Sequence, residues 1–326
     1  MCRILFLFSL LGALLAACNV PGDVVARVKA ERTVHCASAE RPGLAEPGFR
    51  GTETGMWHGF NVEICRAIAI AVLGPAARLE FHRYEAQEDY DALHQGEAEV
   101  FFLTASEIIA QNLAGKLIPG PAVYYETHAV MVRRESAARR IEHLEGARIC
   151  FITGSGAQRS LESFFESKQL LFLRLAFSEA DEMQDAYRAG QCDGVADELT
   201  ALAKLRSDAF AKADRILPQP LAVFPVMACS GIGDGKWAAV VAWTVHTLIR
   251  ADIRERSWRG DGAKALPIEG AGLGLDPGWQ LRLNDALGTY SDIYQRTLGD
   301  KSVYGLPRGL NAPTVEGGLF LPPYSE

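Results

Sequence analysis

The sequence predicts an α/β fold in two lobes with a cleft between them, and three observations predict it. Strand and helix patterns alternate over residues 33–103, then start again over residues 147–197. Two long extended segments, residues 124–133 and 221–229, flank the second run. A hydrophobic content of 48% with 22% charged residues is that of a chain with a substantial core.

The first residues set the expected compartment. Arg3 supplies one positive charge and residues 4–17 carry none. That run falls short of the roughly 20 apolar residues of a membrane span, but it has the length of a signal-peptide core. Leu15-Ala16-Ala17-Cys18 has the form of a lipobox, in which Cys18 takes a diacylglycerol and becomes the first residue. The alternative is an ordinary signal peptide containing an incidental cysteine. The expectation is a leader at 1–17, a lipidated linker at 18–30, and an exported, periplasmic chain tethered to the membrane surface.

Beyond the leader, about 300 residues remain, a length that suits two compact domains or one large one. With 33 basic and 40 acidic residues the net charge is −7, which argues against nucleic acid as a partner. Of seven cysteines, Cys2 leaves with the leader and Cys18 is the lipid acceptor, leaving Cys36, Cys65, Cys150, Cys192 and Cys229. In an oxidising compartment that allows at most two disulfides and one free thiol. No CxxC or HxxxH spacing is present, which argues against a structural zinc site. No metal or cofactor is expected.

Taken in order, residues 33–37 read as a strand, followed by a Gly/Pro-rich loop through Gly59. A helix begins at Asn61, which can cap it, with Glu63 at the positive end of the dipole and Val62, Cys65, Ile68, Ala69 and Val72 on one face. Gly74-Pro75 stops it. Residues 78–84 read as a second strand, 90–95 as the end of a helix and 99–103 as a third strand. In the second run, 147–152 is a strand, and Ser155 with Gln158 forms a capping box opening a helix striped with Leu161, Phe164 and Phe165. Residues 171–176, 178–189 and 194–197 then read as strand, helix and strand. Two crossings make one lobe discontinuous: lobe 1 takes 31–123 and 229–326, and lobe 2 takes 124–228, with hinges near 124–133 and 221–229. Two consecutive domains on one linker would give the same composition. In either case a small ligand belongs in the cleft.

Several segments then resemble one family. Trp57-His58-Gly59-Phe60-Asn61-Val62-Glu63-Ile64-Cys65-Arg66-Ala67 is similar to W-x-G-x-D-V-x-x-C-R-A, and Ala189-Gly190-Gln191-Cys192-Asp193 to A-G-x-C-D. Leu144-Glu145-Gly146-Ala147 and Ile152-Thr153-Gly154-Ser155 resemble an L-x-G-A strand and a T-G-T loop. Leu306-Pro307-Arg308-Gly309-Leu310-Asn311-Ala312 matches L-P-R-G-L-N-A, with Gly317-Gly318-Leu319 and Pro322-Pro323 after it. These are motifs of the periplasmic solute-binding proteins of family 3, in the branch of general L-amino-acid-binding components of ABC transporters. From about residue 31 to the end the chain resembles that branch. The resemblance implies a type II periplasmic-binding-protein fold that closes over an amino-acid-like solute and hands it to an ABC permease in the inner membrane. It also implies the pairings Cys36 with Cys65 and Cys150 with Cys192, leaving Cys229 over.

A zwitterion needs a cation or helix N-terminus for its carboxylate, an acid for its ammonium, and an enclosing wall. The resemblance places Thr153, Ser155 and Gly156 at a helix start facing the ligand, where a plain helix cap is the alternative. It places Asp197 and Glu198 at the ammonium, where a solvated helix start is the alternative. Trp57 and Phe60 fall where the family lines its pocket, although core packing is the commoner use of aromatics. Thr104 and Ser106 offer hydroxyls. Gln111 stands where the family has its carboxylate-binding Arg, and Glu107 stands where it has an aromatic. Arg159 and Lys116 are the nearest cations in sequence. The seven histidines are scattered and none neighbours an obvious nucleophile, so no catalysis is expected. A transport receptor acting as a monomer is the leading reading; a lipid-anchored sensor with a drifted pocket, or a dehydratase on the same fold, are the alternatives.

Overall fold

The computed structural model describes residues 23–48, 56–85, 89–91, 97–208, 211–257 and 268–321. The leader, the lipobox with Cys18, most of the helix read at 90–95, and Pro322-Pro323 lie outside the described residues. Among the described residues no helix is long and apolar enough to cross a membrane.

The chain opens with α1 (Val24–Glu31), whose first turn is capped by the Asp23 carboxylate accepting from the Ala26 N–H at 3.2 Å. Strand β1 (Thr33–Ser38) enters the core, and β2 (Glu46–Pro47) and β3 (Trp57–His58) form a small separate ribbon. Helix α2 (Phe60–Leu73) is buried on nearly every face. Its cap is Gly59 and not Asn61, and the reason is local. Gly59 has φ 125°, and a Cβ there would lie 2.5 Å from the Leu44 carbonyl oxygen. The loop carbonyls of Gly43 and Leu44 accept from the N–H groups of Phe60 and Asn61, at 2.8 Å each, so the helix starts without a side-chain cap. Asn61 is fully buried and donates to Ser38 Oγ at 3.3 Å.

β4 (Arg78–Arg83), β5 (Val100–Thr104), the short α3 (Ala105–Ala110) and β6 (Leu117–Ile118) complete the first half. β7 (Ala122–Val132) then crosses to a second set: β8 (Arg148–Ile152), α4 (Gly156–Ser167), β9 (Leu173–Phe177), α5 (Ala180–Arg188), β10 (Gly194–Glu198), α6 (Leu199–Ser207) and β11 (Arg215–Ile216). β12 (Ala222–Gly231) returns, and α7 (Gly235–Ser257), α8 (Trp279–Leu287) and α9 (Tyr290–Thr297) pack back on the first set. The main sheet runs β4-β1-β5-β12-β7-β10-β8-β9. β4, β1 and β5 are parallel neighbours, as are β10, β8 and β9, and the long antiparallel pair β7/β12 joins the two groups. Separate apolar clusters lie on either side of that pair: Val34, Ile68, Val240 and Leu283 belong to one, and Ile149, Phe151, Leu161 and Phe165 to another.

Cys36 in β1 is bonded to Cys65 in α2, with Cα atoms 6.3 Å apart, and Cys150 in β8 to Cys192 at the entry to β10, with Cα atoms 5.7 Å apart. Cys229 is unpaired and buried, and burial pushes its thiol up to about 12, where it is inert.

The C-terminal motif fastens this frame. Arg308 Nη1 pairs with Asp252 at 2.6 Å, with side chains only 7% and 2% exposed. Its Nε and Nη2 donate to the Asn311 carbonyl at 3.0 and 2.7 Å, and its guanidinium lies 5.0 Å from the centre of the Tyr290 ring. Asn311 in turn accepts from the Tyr125 N–H at 2.6 Å and donates to the Tyr125 carbonyl at 3.1 Å. The motif thus holds the start of the crossing strand β7.

Candidate functional site

A cavity of about 730 Å³ opens where the two parallel groups face each other across β7 and β12. Its walls come from both halves: Arg41 from the loop after β1, Thr104 to Gln111 from the end of β5 and α3, Glu126 and His128 from β7, Ser155 to Ser167 along α4, Asp197 and Glu198 from the end of β10, and Phe224 from β12. The carboxyl ends of parallel strands collect ligands because helix N-termini and loops converge there. This volume is within the usual range of small-molecule pockets.

Arg41 is the cation of the inner wall. Its Nη2 lies 3.0 Å from Glu107 Oε1 and its Nε 3.4 Å from Glu198 Oε2, and the side chain is 13% exposed. Nη1 is buried without a hydrogen-bond partner among the described residues. Burial opposes the Arg41 charge, but the carboxylates of Glu198, Glu107 and Glu126 outweigh it, so its pKa lies above the ordinary value. Glu107 is doubly used: its other oxygen accepts from the Thr104 N–H at 2.7 Å and hydroxyl at 2.8 Å, completing a capping box on α3.

Three acids gather on the other wall. Glu126 is buried, accepting from the Thr200 hydroxyl at 2.8 Å and the Thr127 N–H at 2.9 Å, and burial with the neighbouring Glu198 pushes its pKa up. Burial, reinforced by Glu198, raises Asp197 to about 7, although the Glu198 N–H it accepts at 2.8 Å works the other way. His128 is lowered to about 4 by burial and by Arg159 and Arg41, so the imidazole is neutral. Its Nδ1 is 2.8 Å from Ser160 Oγ and its ring packs 4.5 Å from Phe224.

The start of α4 faces the cavity. Gly154 takes φ 75°, a turn that favours glycine. Ser155 Oγ accepts from the Gln158 N–H at 3.0 Å, and Gln158 reaches back to the Gly154 N–H at 2.7 Å. Gly156 and Ala157 line the cavity, and their N–H groups, first in the helix, have no intrahelical acceptor. A Cβ on Gly156 would sit 2.7 Å from His128 Cε1, so this glycine lets the helix start close over the imidazole.

Of the residues singled out from sequence, Thr104, Ser106, Gln111, Ser155, Gly156, Asp197 and Glu198 line this cavity. Trp57, Phe60 and Thr153 are not among its walls. Phe60 is fully buried among Tyr124, Tyr290 and Tyr294, and Trp57 packs 5.4 Å from Phe81, so both serve the core. The aromatic surfaces of the cavity are Phe224 and Phe164. Gln111 accepts from the Tyr84 hydroxyl, which occupies its amide oxygen. Of the two cations nearest in sequence, Lys116 pairs with Asp91 at 2.6 Å away from the cavity, whereas Arg159 stands at the rim, donating to the Gly154 carbonyl at 2.7 Å. Sequence reasoning missed Arg41, Glu126, His128 and Phe224. The available signal for Arg41 was its place in the loop just past the carboxyl end of a parallel strand.

No protein-family model matches the chain. It is 29% identical to the general L-amino acid-binding periplasmic protein AapJ of Rhizobium johnstonii, with 91% of each chain covered. It is 27% identical to the glutamate/glutamine/aspartate/asparagine-binding protein BztA of Rhodobacter capsulatus, with 98% of each covered. A solved periplasmic binding protein of Brucella ovis with glutathione bound superposes with a TM-score of 0.72 at 28% identity, covering 92% of this chain and 98% of that one. The chain resembles the periplasmic solute-binding proteins along its whole length. These three relatives are all binding proteins, and the mixed α/β frame is the periplasmic-binding-protein fold. An ancestral cationic amino acid solute-binding protein shares that fold at a TM-score of 0.57 and 12% identity.

Proposed function

We propose that the chain is the extracytoplasmic solute-binding component of an ABC-type uptake system and captures an amino-acid-like solute by closing two lobes on it. The lobes are residues 31–123 with 229–326, and residues 124–228, hinged where β7 and β12 cross. The observation that carries this reading is that the cavity brings groups of both signs together from the two halves of the sheet. Arg41, Arg159 and the open N–H groups of α4 suit a carboxylate, and Asp197 with Glu198 suits an ammonium. The relatives' described roles support the same reading. The reading involves no catalysis and no cofactor, a monomer that delivers solute to a membrane permease, and a lipid tether on Cys18.

The cavity also favours a solute larger than a free amino acid. Its wall follows α4 from Ser155 to Ser167, about 18 Å of helix. The Brucella ovis relative holds glutathione, a tripeptide. A thermal-shift screen of amino acids beside short peptides, glutathione included, separates the two sizes. A ligand at about 100 times its dissociation constant stabilises a protein by about 2.7 kcal/mol, which is readable. Hits confined to single amino acids would remove the larger-solute reading, and silence across all zwitterions would remove the transport reading. Membrane fractionation of Cys18→Ala tests the tether: the variant should move from the membrane to the soluble fraction. Loss of solute uptake on deletion separates a transport receptor from a sensor on the same fold.

A further inference from the structure

We propose that His35, Glu80 and His82 form a site for a divalent transition-metal ion, zinc first among them, on the outer strands of the sheet and apart from the solute cavity. The three belong to paired parallel strands. In the register His35 stands opposite Glu80 and Ala37 opposite His82, and residues 80 and 82, two apart on β4, project on the same face. Their ligand atoms all lie within 4.8 Å of one another.

The distances match metal coordination closely. His35 Nδ1 is 3.3 Å from His82 Nε2 and 3.6 Å from Glu80 Oε2. Two imidazole nitrogens bound to tetrahedral zinc at about 2.0–2.1 Å stand about 3.3–3.4 Å apart, the separation these two histidines already have. The rings lie 20° from parallel, their centres 5.6 Å apart, and the ligand atoms of all three residues lie within 4.8 Å of one another. A shared hydrogen bond between the rings would also bring them to 3.3 Å, and the zinc titration below separates the two cases.

The frame is rigid and the site is open. The His35 N–H donates to Glu99 Oε2 at 2.6 Å, and the next residue, Cys36, is bonded to α2. Glu80 is 64% exposed on its side chain and His35 18%, which gives an ion a route in and room for water as the remaining ligand. Two imidazoles and one carboxylate favour zinc, copper or nickel over magnesium or calcium. The ion would fasten β4, the edge strand, to β1 and stabilise the folded chain, because the ligands converge only after the sheet forms. Spacing along the chain could not disclose this set, since 45 residues separate His35 from Glu80 and the cluster forms only across the ladder.

The test is calorimetric titration of the chain, purified without a polyhistidine tag, with zinc chloride in excess magnesium. One zinc per chain is expected, with a rise in melting temperature on addition. His82→Gln and His35→Gln should each weaken binding at least tenfold, and Glu80→Gln less. His143→Gln and the cavity variant Glu107→Gln should bind zinc as the parent does. X-ray absorption of the zinc-loaded parent chain, which depends on no variant folding, should show two imidazole ligands. No saturable binding, binding unchanged in both histidine variants, or an absorption spectrum without imidazole would overturn the proposal.

Discussion

Arg41 and Glu198 meet across the cavity at 3.4 Å, and they come from opposite groups of the sheet. Arg41 lies beyond the end of β1 and Glu198 ends β10. The pair is therefore an electrostatic contact between the two halves, made where a zwitterion's two ends would compete for the same two side chains. A solute carboxylate would take Arg41 and a solute ammonium would take Glu198, so the contact is replaced and not simply lost.

Arg41→Met is expected to weaken solute binding by about a hundredfold or more. A solute carboxylate bound in this cavity would lose its charged partner, and truncating one member of a buried hydrogen-bonded charge pair costs about 2–5 kcal/mol. Gln111→Ala should cost less than tenfold, because Gln111 is engaged by Tyr84 and carries no charge. Calorimetric titration of both variants with the same solute gives the comparison.

Solute binding should strengthen as pH rises through about 7, the value to which burial raises Asp197. An ammonium needs the ionised acid, so each unit below that point should cost up to about tenfold. The free chain should respond in the opposite direction. Asp197 stays protonated in the folded state while ionising near 3.9 when unfolded, so its contribution to stability falls as pH rises from about 4 to about 7. Asp197→Asn should flatten both profiles, read by titration and by urea denaturation across that range.

Gly156→Ala is expected to destabilise the chain by about 1–3 kcal/mol and to weaken solute binding. The new Cβ would meet His128 Cε1 at 2.7 Å, and the ring has little freedom between Ser160 and Phe224. His128→Ala should relieve most of that cost, so the double variant should be more stable than the sum of the two changes allows. Thermal denaturation of the four proteins completes the cycle.

Arg308→Met should destabilise the fold by about 3–5 kcal/mol by leaving Asp252 buried with its main cationic partner gone. Arg308→Lys should recover only part of this, since one ammonium cannot meet both Asp252 and the Asn311 carbonyl as the guanidinium does. Urea denaturation measures both.

Much of the frame was legible because its signals are local. The alternation of strands and helices, the two long crossings, and Ser155 as a helix cap each depend on a few neighbouring residues, and each has its counterpart in the structure. The start of α2 was not, because Gly59 caps through loop carbonyls that fold in from Gly43 and Leu44, some 15 residues away. The cavity divides the same way. Asp197 and Glu198 stand at a strand end that the sequence marks, whereas proximity to Gln111 in sequence points to Arg159 and Lys116 and the inner cation, Arg41, arrives from the loop after another strand. Phe60 was read as a wall because a motif placed it near the ligand. Burial among three tyrosines instead rewards it for being apolar.

Isothermal titration of the chain and of Arg41→Met, with L-amino acids and with glutathione, is the most direct measurement. Saturable binding of a zwitterionic solute by the parent chain, weakened about a hundredfold in Arg41→Met, is the expected result. Binding that survives Arg41→Met unchanged, or no binding of any zwitterion by the parent chain, would contradict the assignment of this cavity to an amino-acid-like solute.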